Sequence, residues 1–312
     1  MAIIEVSGLK KSYRGKQVLH GVDLHVDVGE IVGILGPNGA GKTTTVECIG
    51  GLRRADAGRI LVAGIDPAGD DPRLRHLLGM QLQQCRLPAR ITTAEAIELF
   101  AACYPNPRGT DELLGRFNLT EQRNQRFEKL SGGQQQRLSV ALALVGRPQI
   151  AILDELTTGL DPAARRDVWN HLADLSADGT TIVLVTHSMA EAQRLCDRIY
   201  LIDTGRVIAE GTPAELAESA GDQTIAFIPS APIELAGLAG LPGVSKVDRD
   251  GDRIIVQGAA DVPQALLTLL SDRGITAGQL RITGPSLDDA YLHLTQPTRT
   301  GIIESAPQEE QI

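Results

Sequence analysis

A glycine-rich loop carries the clearest chemistry in the sequence. The pattern G-x-x-x-x-G-K-[ST] is matched by Gly36-Pro37-Asn38-Gly39-Ala40-Gly41-Lys42-Thr43. Glycines in such a loop allow backbone N–H groups to point at phosphate oxygens, and the helix that follows adds its dipole and unpaired donors. Lys42 can reach the β- and γ-phosphates of a nucleotide, and the Thr43 hydroxyl can bind Mg²⁺. We expect a nucleoside triphosphate at this loop and at Thr44; a purely steric strand–turn–helix corner is the alternative.

Two adjacent carboxylates follow a short apolar run. The run Ile150-Ala151-Ile152-Leu153 is typical of a buried strand, and Asp154 and Glu155 stand at its end. In nucleotide hydrolases with a phosphate loop, the first such carboxylate holds Mg²⁺. Glu155 comes next, where a carboxylate could accept a proton from an attacking water. A strand that ends in Asp-Glu is also a common surface turn, so it is the phosphate loop that favours the catalytic interpretation.

A second anion-binding corner is predicted at Ser131. Gly132 and Gly133 follow this serine at the start of a predicted helix, and Gln134 comes next. A helix start of this kind offers free N–H donors to an anion. One nucleotide does not need two such corners from one subunit. The alternative is a capped helix with a flexible glycine entry.

The first 220 residues alternate strand-like and helix-like patterns. Apolar residues alternate with period two over residues 22–28, as in a half-buried strand. Continuous apolar runs predict buried strands at residues 31–35, 150–153, 181–185 and 198–203. Helices are predicted at residues 43–52, 94–104, 131–145 and 162–176. This alternation predicts an α/β domain with a largely parallel sheet.

The last third of the chain follows a different pattern. A linker is predicted at Ala220-Gly221-Asp222, and the elements that follow have the order strand, helix, strand, strand, helix, strand. That order is typical of a small ferredoxin-like α+β domain, which we place at residues 221–296 with a final helix over 286–294. Residues 297–312 are polar, and we predict a disordered tail there.

The composition argues against several classes of protein. The chain has 312 residues, of which 42% are apolar, and its net charge of −9 opposes binding to nucleic acid. No apolar run approaches the ~20 residues that cross a bilayer, so we expect no transmembrane helix. The beginning lacks a basic segment and a cleavage site, so we expect no secretion. The four cysteines are scattered, which favours reduced thiols in the cytosol over a zinc site or disulfides.

The segment Leu130-Ser131-Gly132-Gly133-Gln134 resembles the signature of ATP-binding cassette (ABC) proteins. The resemblance extends over residues 3–218. It implies an ABC ATPase domain of the P-loop NTPase fold at residues 1–220, with a mixed sheet core and a helical subdomain. It also implies ATP and Mg²⁺ as ligands and a head-to-tail homodimer. In that dimer each ATP lies between the phosphate loop of one copy and the signature of the other.

Two further segments belong to the same resemblance. Tyr13 resembles the aromatic residue that stacks on adenine, with a strand-edge tyrosine as the alternative. Gly159-Leu160-Asp161 resembles the D-loop, which lies across the dimer interface. Asp161 is also a candidate N-cap for the helix that follows, and the two roles are compatible.

The catalytic set is completed by two polar side chains. Leu78-Gly79-Met80-Gln81-Leu82-Gln83 resembles the Q-loop segment, and counting from Leu78 selects Gln83, although Gln81 and Gln84 are close. The resemblance implies that Gln83 contacts Mg²⁺ or the attacking water. Thr186-His187 resembles the H-loop, whose histidine contacts the γ-phosphate. Glu155, His187, Lys42 and Gln83 are therefore the catalytic residues that the resemblance implies.

The chain departs from the family pattern at one position beside this set. Leu156 follows the two carboxylates where the family commonly has proline, so the backbone there is less restricted. Because Asp154 and Glu155 are present, we still expect hydrolysis of ATP. A binding module with an inactive site is the alternative, and the intact Lys42 and His187 argue against it.

The end of the chain also resembles one branch of the family. Residues 284–295 are similar to the ending of drug-exporter ATPase subunits, which include antibiotic self-resistance exporters. The resemblance implies a cytoplasmic subunit, peripheral on the cell membrane, that powers a separate transmembrane permease through its surface around residues 83–117. The alternatives are an importer ATPase and a soluble ABC ATPase that acts on ribosomes or nucleic acid. The final helix could instead simply pack Leu287, Tyr291 and Leu294 on its own domain.

Overall fold

The computed structural model describes residues 1–82, 86–157, 160–219 and 221–295. The strands are β1 (Ala2–Tyr13), β2 (Lys16–Asp27), β3 (Ile31–Leu35), β4 (Ala57–Val62), β5 (Leu78–Gln81), β6 (Ile150–Asp154), β7 (Thr181–Thr186), β8 (Arg198–Asp203), β9 (Arg206–Gly211), β10 (Gln223–Pro229), β11 (Val244–Asp250), β12 (Arg253–Gly258) and β13 (Ala277–Thr283). The helices are α1 (Lys42–Ile49), α2 (Pro72–Leu77), α3 (Thr93–Ala101), α4 (Thr110–Arg116), α5 (Gly132–Leu144), α6 (Pro162–Ala177), α7 (Met189–Leu195), α8 (Pro213–Glu218), α9 (Leu235–Ala239), α10 (Val262–Asp272) and α11 (Leu287–Thr295). Among the described residues, no helix is both long and apolar enough to cross a membrane.

A six-stranded sheet positions the residues with predicted chemistry. Its order is β5-β6-β7-β3-β8-β9, with parallel pairing from β5 to β8 and an antiparallel edge strand, β9. All side chains of β3, β6 and β7 are buried, as expected for parallel strands that are covered on both faces. The prediction of an α/β domain is confirmed, and the antiparallel edge makes the sheet a mixed one.

A second, antiparallel sheet lies beside the first and has the order β2-β1-β4. Its inward residues join Val32 and Ile34 of β3 in one buried cluster. The sequence pattern predicts a half-buried strand up to Val28, which is one residue too long, because Val28 is 62% exposed. The strand ends at Asp27, and Gly29 at φ 78° turns the chain toward β3.

The first helix between β5 and β6, α3, begins at a capping residue. Thr92 caps α3, since its hydroxyl accepts a hydrogen bond from the Glu95 N–H (3.3 Å) and the Glu95 carboxylate accepts one from the Thr92 N–H (2.8 Å). Thr92 and Glu95 thus form a capping box at the start of α3. The helix ends at Ala101, before the predicted residue 104.

The C-terminal strands form a four-stranded antiparallel sheet in the order β11-β12-β10-β13. A compact apolar cluster, which includes Ile225, Phe227 and Leu266, lies between this sheet and the helices α9 and α10. The elements follow one another in the predicted order, and the turn between β11 and β12 lies at Gly251-Asp252.

The last helix, α11, packs against helices of the first domain. It lies against α7 and α8. Leu287 (0% exposed) and Tyr291 join the larger apolar cluster of the first domain, which includes Leu35, Leu153 and Leu184 of the central sheet. Leu294 is 43% exposed. The alternative interpretation, in which the final helix packs on its own domain, is therefore wrong for Leu287 and Tyr291. The apolar face of α11 has its partner in the helices next to the central sheet.

Truncating Leu287 tests how strongly α11 is bound to the first domain. Leu287→Ala is expected to lower the free energy of unfolding by about 2–5 kcal/mol, because it removes a fully buried side chain and leaves a cavity. Leu292→Ala on the same helix is the matched control; Leu292 is 54% exposed, so its change should stay within about 0.5 kcal/mol. Urea unfolding measures both. Equal effects of the two substitutions would contradict the packing of α11.

Candidate nucleotide-binding site

The phosphate loop connects β3 to α1, and two of its glycines are required by a close contact or by the backbone conformation. A side chain at Gly36 would lie 1.9 Å from the carbonyl oxygen of Ile202, and Gly41 has φ 103°. Both positions therefore exclude other residue types. The loop ends at Gly41, where the backbone N–H groups of the first turn of α1 are available to an anion.

Lys42 lies inside the curve of this loop. Its side chain is nearly buried, and its ammonium donates hydrogen bonds to the carbonyl oxygens of Gly36 (2.8 Å) and Pro37 (3.0 Å). Burial lowers the pKa of the Lys42 ammonium, while the nearby Glu155 and Asp154 carboxylates oppose that shift. The loop therefore holds a poorly hydrated cation where phosphate oxygens would arrive.

Thr43 and Asp154 meet although they are 111 positions apart in the chain. The Thr43 hydroxyl donates to Asp154 Oδ2 (3.0 Å), and Asp154 is 1% exposed. Its other oxygen, Oδ1, is buried without a hydrogen-bond partner among the described residues. Burial raises the pKa of the Asp154 carboxyl and nearby Glu155 adds to the rise, while the Thr43 hydrogen bond and the Lys42 charge lower it. A hydroxyl beside a carboxylate with an unused oxygen is a donor set that suits Mg²⁺.

Glu155 and His187 face each other at the ends of neighbouring strands. The distance from His187 Nδ1 to Glu155 Oε1 is 3.6 Å. The Glu155 N–H donates to the carbonyl oxygen of Val185 (2.8 Å), and the residue has the left-handed φ of 50°. Next to it, Leu156 is fully buried in the larger apolar cluster. This anchoring holds the Glu155 backbone while its carboxylate points toward the loop.

A cavity of about 250 Å³ lies over the phosphate loop, and it is lined by Val18, Asn38, Gly39, Gly41, Lys42, Thr43, Thr44 and Glu155. Val18 is not among the predicted site residues. It belongs to β2, and its carbonyl oxygen lies 3.4 Å from where a side chain at Gly41 would start. The local sequence around Val18 contains no sign of this proximity.

The signature residues do not line this cavity. Ser131 is the N-cap of α5, where its hydroxyl accepts from the Gln134 N–H (3.3 Å) and the Gln134 side chain accepts from the Ser131 N–H (2.8 Å). Gly133 lies against Leu160, 3.1 Å from where its side chain would start. The capped-helix interpretation therefore describes α5 correctly, and a role for Ser131–Gln134 in ATP binding stays a prediction.

Asp161 and Tyr13 do not line the cavity either. Asp161 caps α6 by accepting from the N–H groups of Ala163 (2.9 Å) and Ala164 (3.0 Å), and these bonds lower the pKa of its carboxyl. The centre of the Tyr13 ring lies 5.6 Å from the Lys11 ammonium. The role of Tyr13 in adenine stacking stays a prediction. Gln83 lies outside the residues that the structure describes.

Comparison with known proteins agrees with this geometry. A family model described as ABC transporter matches residues 19–158. The chain is 39% identical over 306 residues to the daunorubicin resistance ATP-binding protein DrrA3 of Streptomyces coeruleorubidus, covering 95% of this chain and 96% of that protein. It is also 39% identical over 299 residues to the Nod factor export ATP-binding protein I of Rhizobium sp. (strain N33), covering 94% and 96%.

Solved structures of ATP-binding cassettes are similar to the first domain. The dimeric post-hydrolysis state of the ATP-binding cassette MJ0796, bound to ADP and Pi, superposes with a TM-score of 0.62 at 30% identity, over 67% of this chain and 98% of that chain. An ATP-binding subunit of an ABC transporter superposes with a TM-score of 0.64 at 31% identity, over 70% and 92%. The chain belongs to the ABC transporter family, as one of its ATP-hydrolysing subunits.

Proposed function

We propose that this chain hydrolyses ATP to power export through a separate membrane permease. The observation that carries the proposal is one cavity lined by Lys42, Thr43 and Glu155. Asp154 is hydrogen-bonded to Thr43 behind this lining, and His187 lies beside Glu155. Relatives that cover nearly the whole chain are named for drug resistance and for Nod factor export, which favours an exporter over an importer. The net charge of −9 argues against action on nucleic acid.

Each site residue has a distinct proposed task in hydrolysis. The Lys42 ammonium, held by two loop carbonyls, would turn to the β- and γ-phosphate oxygens and stabilise their charge. Glu155 would accept a proton from the attacking water, or orient that water. His187, whose Nδ1 faces the Glu155 carboxylate, would contact the γ-phosphate through its ring. Gln83 is proposed to contact the same water or the metal.

Thr43 and Asp154 would hold Mg²⁺, with Asp154 Oδ1 as the oxygen that has no other partner among the described residues. The metal, when bound, neutralises charge on the β- and γ-phosphate oxygens. Tyr13 is proposed to stack on the adenine at the other end of the nucleotide. The Lys11 ammonium lies 5.6 Å from the centre of the Tyr13 ring and would then lie near the base.

A head-to-tail homodimer would complete the site. Ser131 to Gln134 do not line the cavity of their own chain, and their helix start provides N–H donors for an anion. We propose that these residues, with Asp161 beside them, close over the ATP of a second copy. The dimeric state of the related cassette MJ0796 supports this arrangement.

Ser131→Ala tests the shared site. In the Glu155→Gln background, we expect the substitution to weaken ATP-driven dimerisation at least tenfold while ATP binding by the monomer is unchanged. Loss of the cap should lower stability by about 1 kcal/mol. Thr212→Ala is the matched control, because it removes a similar capping box from α8. Light scattering with and without ATP-Mg²⁺ measures dimerisation, and equal dimerisation of the two variants would rule out a role for Ser131 in the partner site.

Export is tested in cells. Deleting the gene should raise the accumulation of a fluorescent anthracycline, because relatives are named for resistance to daunorubicin. The intact gene should restore export, whereas Lys42→Met at equal expression should not. No change in accumulation would exclude this class of cargo.

The permease would dock near residues 83–117 at the cytoplasmic face of the membrane, where Leu99 (57%) and Phe100 (37%) of α3 are exposed.

The C-terminal part is proposed to be a ferredoxin-like domain over residues 221–296. The order β11-β12-β10-β13, with all neighbours antiparallel, supports this assignment. The packing of α11 on the first domain means that the two domains share a core contact. We propose that the C-terminal domain stabilises the dimer or regulates it.

A further inference from the structure

A polar side chain is buried in the core next to the metal-binding carboxylate. Gln81, the last residue of β5, is 2% exposed. Its Oε1 accepts a hydrogen bond from the Asp154 N–H (3.1 Å), and its Nε2 donates to the carbonyl oxygen of Leu82 (2.8 Å). Burying an amide without partners is unfavourable, but here both ends of the Gln81 amide are bonded. The side chain therefore joins two backbones that are 73 positions apart.

The hydrogen bond to Asp154 replaces a missing strand contact. The β5–β6 ladder ends at the pair Gln81 and Leu153, one residue before Asp154. On the opposite edge, β6 continues beside β7 through Asp154 and Val185. Without Gln81, the Asp154 N–H would be buried with no backbone acceptor from β5. The Gln81 side chain supplies that acceptor at the point where β5 ends.

We propose that Gln81 is a positioning residue for the metal site. By holding the Asp154 backbone, it keeps Asp154 Oδ2 at the Thr43 hydroxyl and fixes the direction of Oδ1. Through its second hydrogen bond it also fixes the Leu82 backbone, from which the chain continues to Gln83. This inference rests on the proposed metal role of Asp154.

Two substitutions test the inference. Gln81→Met keeps the volume and removes both hydrogen bonds, and Gln81→Asn keeps an amide that is one methylene too short to reach Asp154. Each should weaken metal binding about tenfold, because supporting residues of metal ligands have effects of this size. Mn²⁺ serves as the probe: its dissociation constant in the complex with AMP-PNP is measured by electron paramagnetic resonance. Binding of AMP-PNP in EDTA should be unchanged.

Ile152→Val is the control for a general disturbance of the sheet. Ile152 is fully buried in β6, two residues before Asp154, and its truncation should leave the Mn²⁺ dissociation constant unchanged. The inference is wrong if both Gln81 variants bind Mn²⁺ as the wild type does. It is also wrong if they lose metal-free nucleotide affinity to the same extent. Failure of the wild type to hydrolyse ATP would instead refute the proposed function, so the two results are distinguishable.

Discussion

The Glu155→Gln variant is expected to hydrolyse ATP about 10²–10⁴-fold more slowly than the wild type, because it loses the carboxylate that accepts the proton of the attacking water. Its affinity for ATP should be unchanged. The glutamine keeps the size of the side chain, and the Glu155 backbone is held by Val185. Phosphate release in a single turnover measures the chemical step, and a fluorescent ATP analogue measures binding.

The same variant should accumulate as an ATP-bound dimer, because hydrolysis is the step that reopens the shared site. Size-exclusion chromatography with light scattering, with and without ATP-Mg²⁺, detects the shift from monomer to dimer. Glu121→Gln, which removes the same charge at an exposed position, should hydrolyse ATP as the wild type does. Wild-type turnover by Glu155→Gln would show that another group activates the water.

Lys42→Met is expected to lower the rate of hydrolysis by about 10²–10³-fold or more, and also to weaken ATP binding. The ammonium is the cation inside the phosphate loop, and in a site with little water its contribution to charge stabilisation is large. A coupled ATPase assay and nucleotide titration measure the two effects. Lys129→Met, at an exposed position before the signature, is the control and should leave both unchanged.

Although Lys42→Met should lose activity, its free energy of unfolding should be equal to or higher than that of the wild type. Because burial lowers the pKa of Lys42, the charged form is disfavoured in the folded state. In the wild type this penalty is fully present below the lowered pKa and disappears as the pH rises toward the ordinary value of 10.5. Lys42→Met lacks the penalty, so at neutral pH it should unfold at an equal or higher urea concentration. A clear loss of stability would show that the loop depends on the Lys42 hydrogen bonds.

Much of the candidate site is contiguous in the chain and could be predicted without coordinates. The loop from Gly36 to Thr43 is a local motif, because its glycines adopt positive φ values and Gly36 also lies close to the backbone of Ile202. The strand before Asp154 is apolar throughout, so its burial and its polar end are local properties. The capping residues Thr92, Ser131 and Asp161 are likewise local, since each bonds to N–H groups within three residues.

What only the tertiary structure decided is the set of contacts between distant segments. Thr43 meets Asp154, and Glu155 meets His187, because parallel strands place their ends at one edge of the sheet. Gln81 was a neighbour of the predicted Q-loop residue by its position in the chain, and its bond to Asp154 depends on where β5 ends beside β6.

The elements on which α11 packs were also decided by the tertiary structure. Its amphipathic pattern determined that one face must be buried, and it contained no information about the partner. Leu287 packs in the first domain, whose helices α7 and α8 lie against α11. The physical reason is general: hydrogen-bond capping and backbone conformation act over a few residues, whereas burial of apolar surface is non-directional and depends on the whole fold.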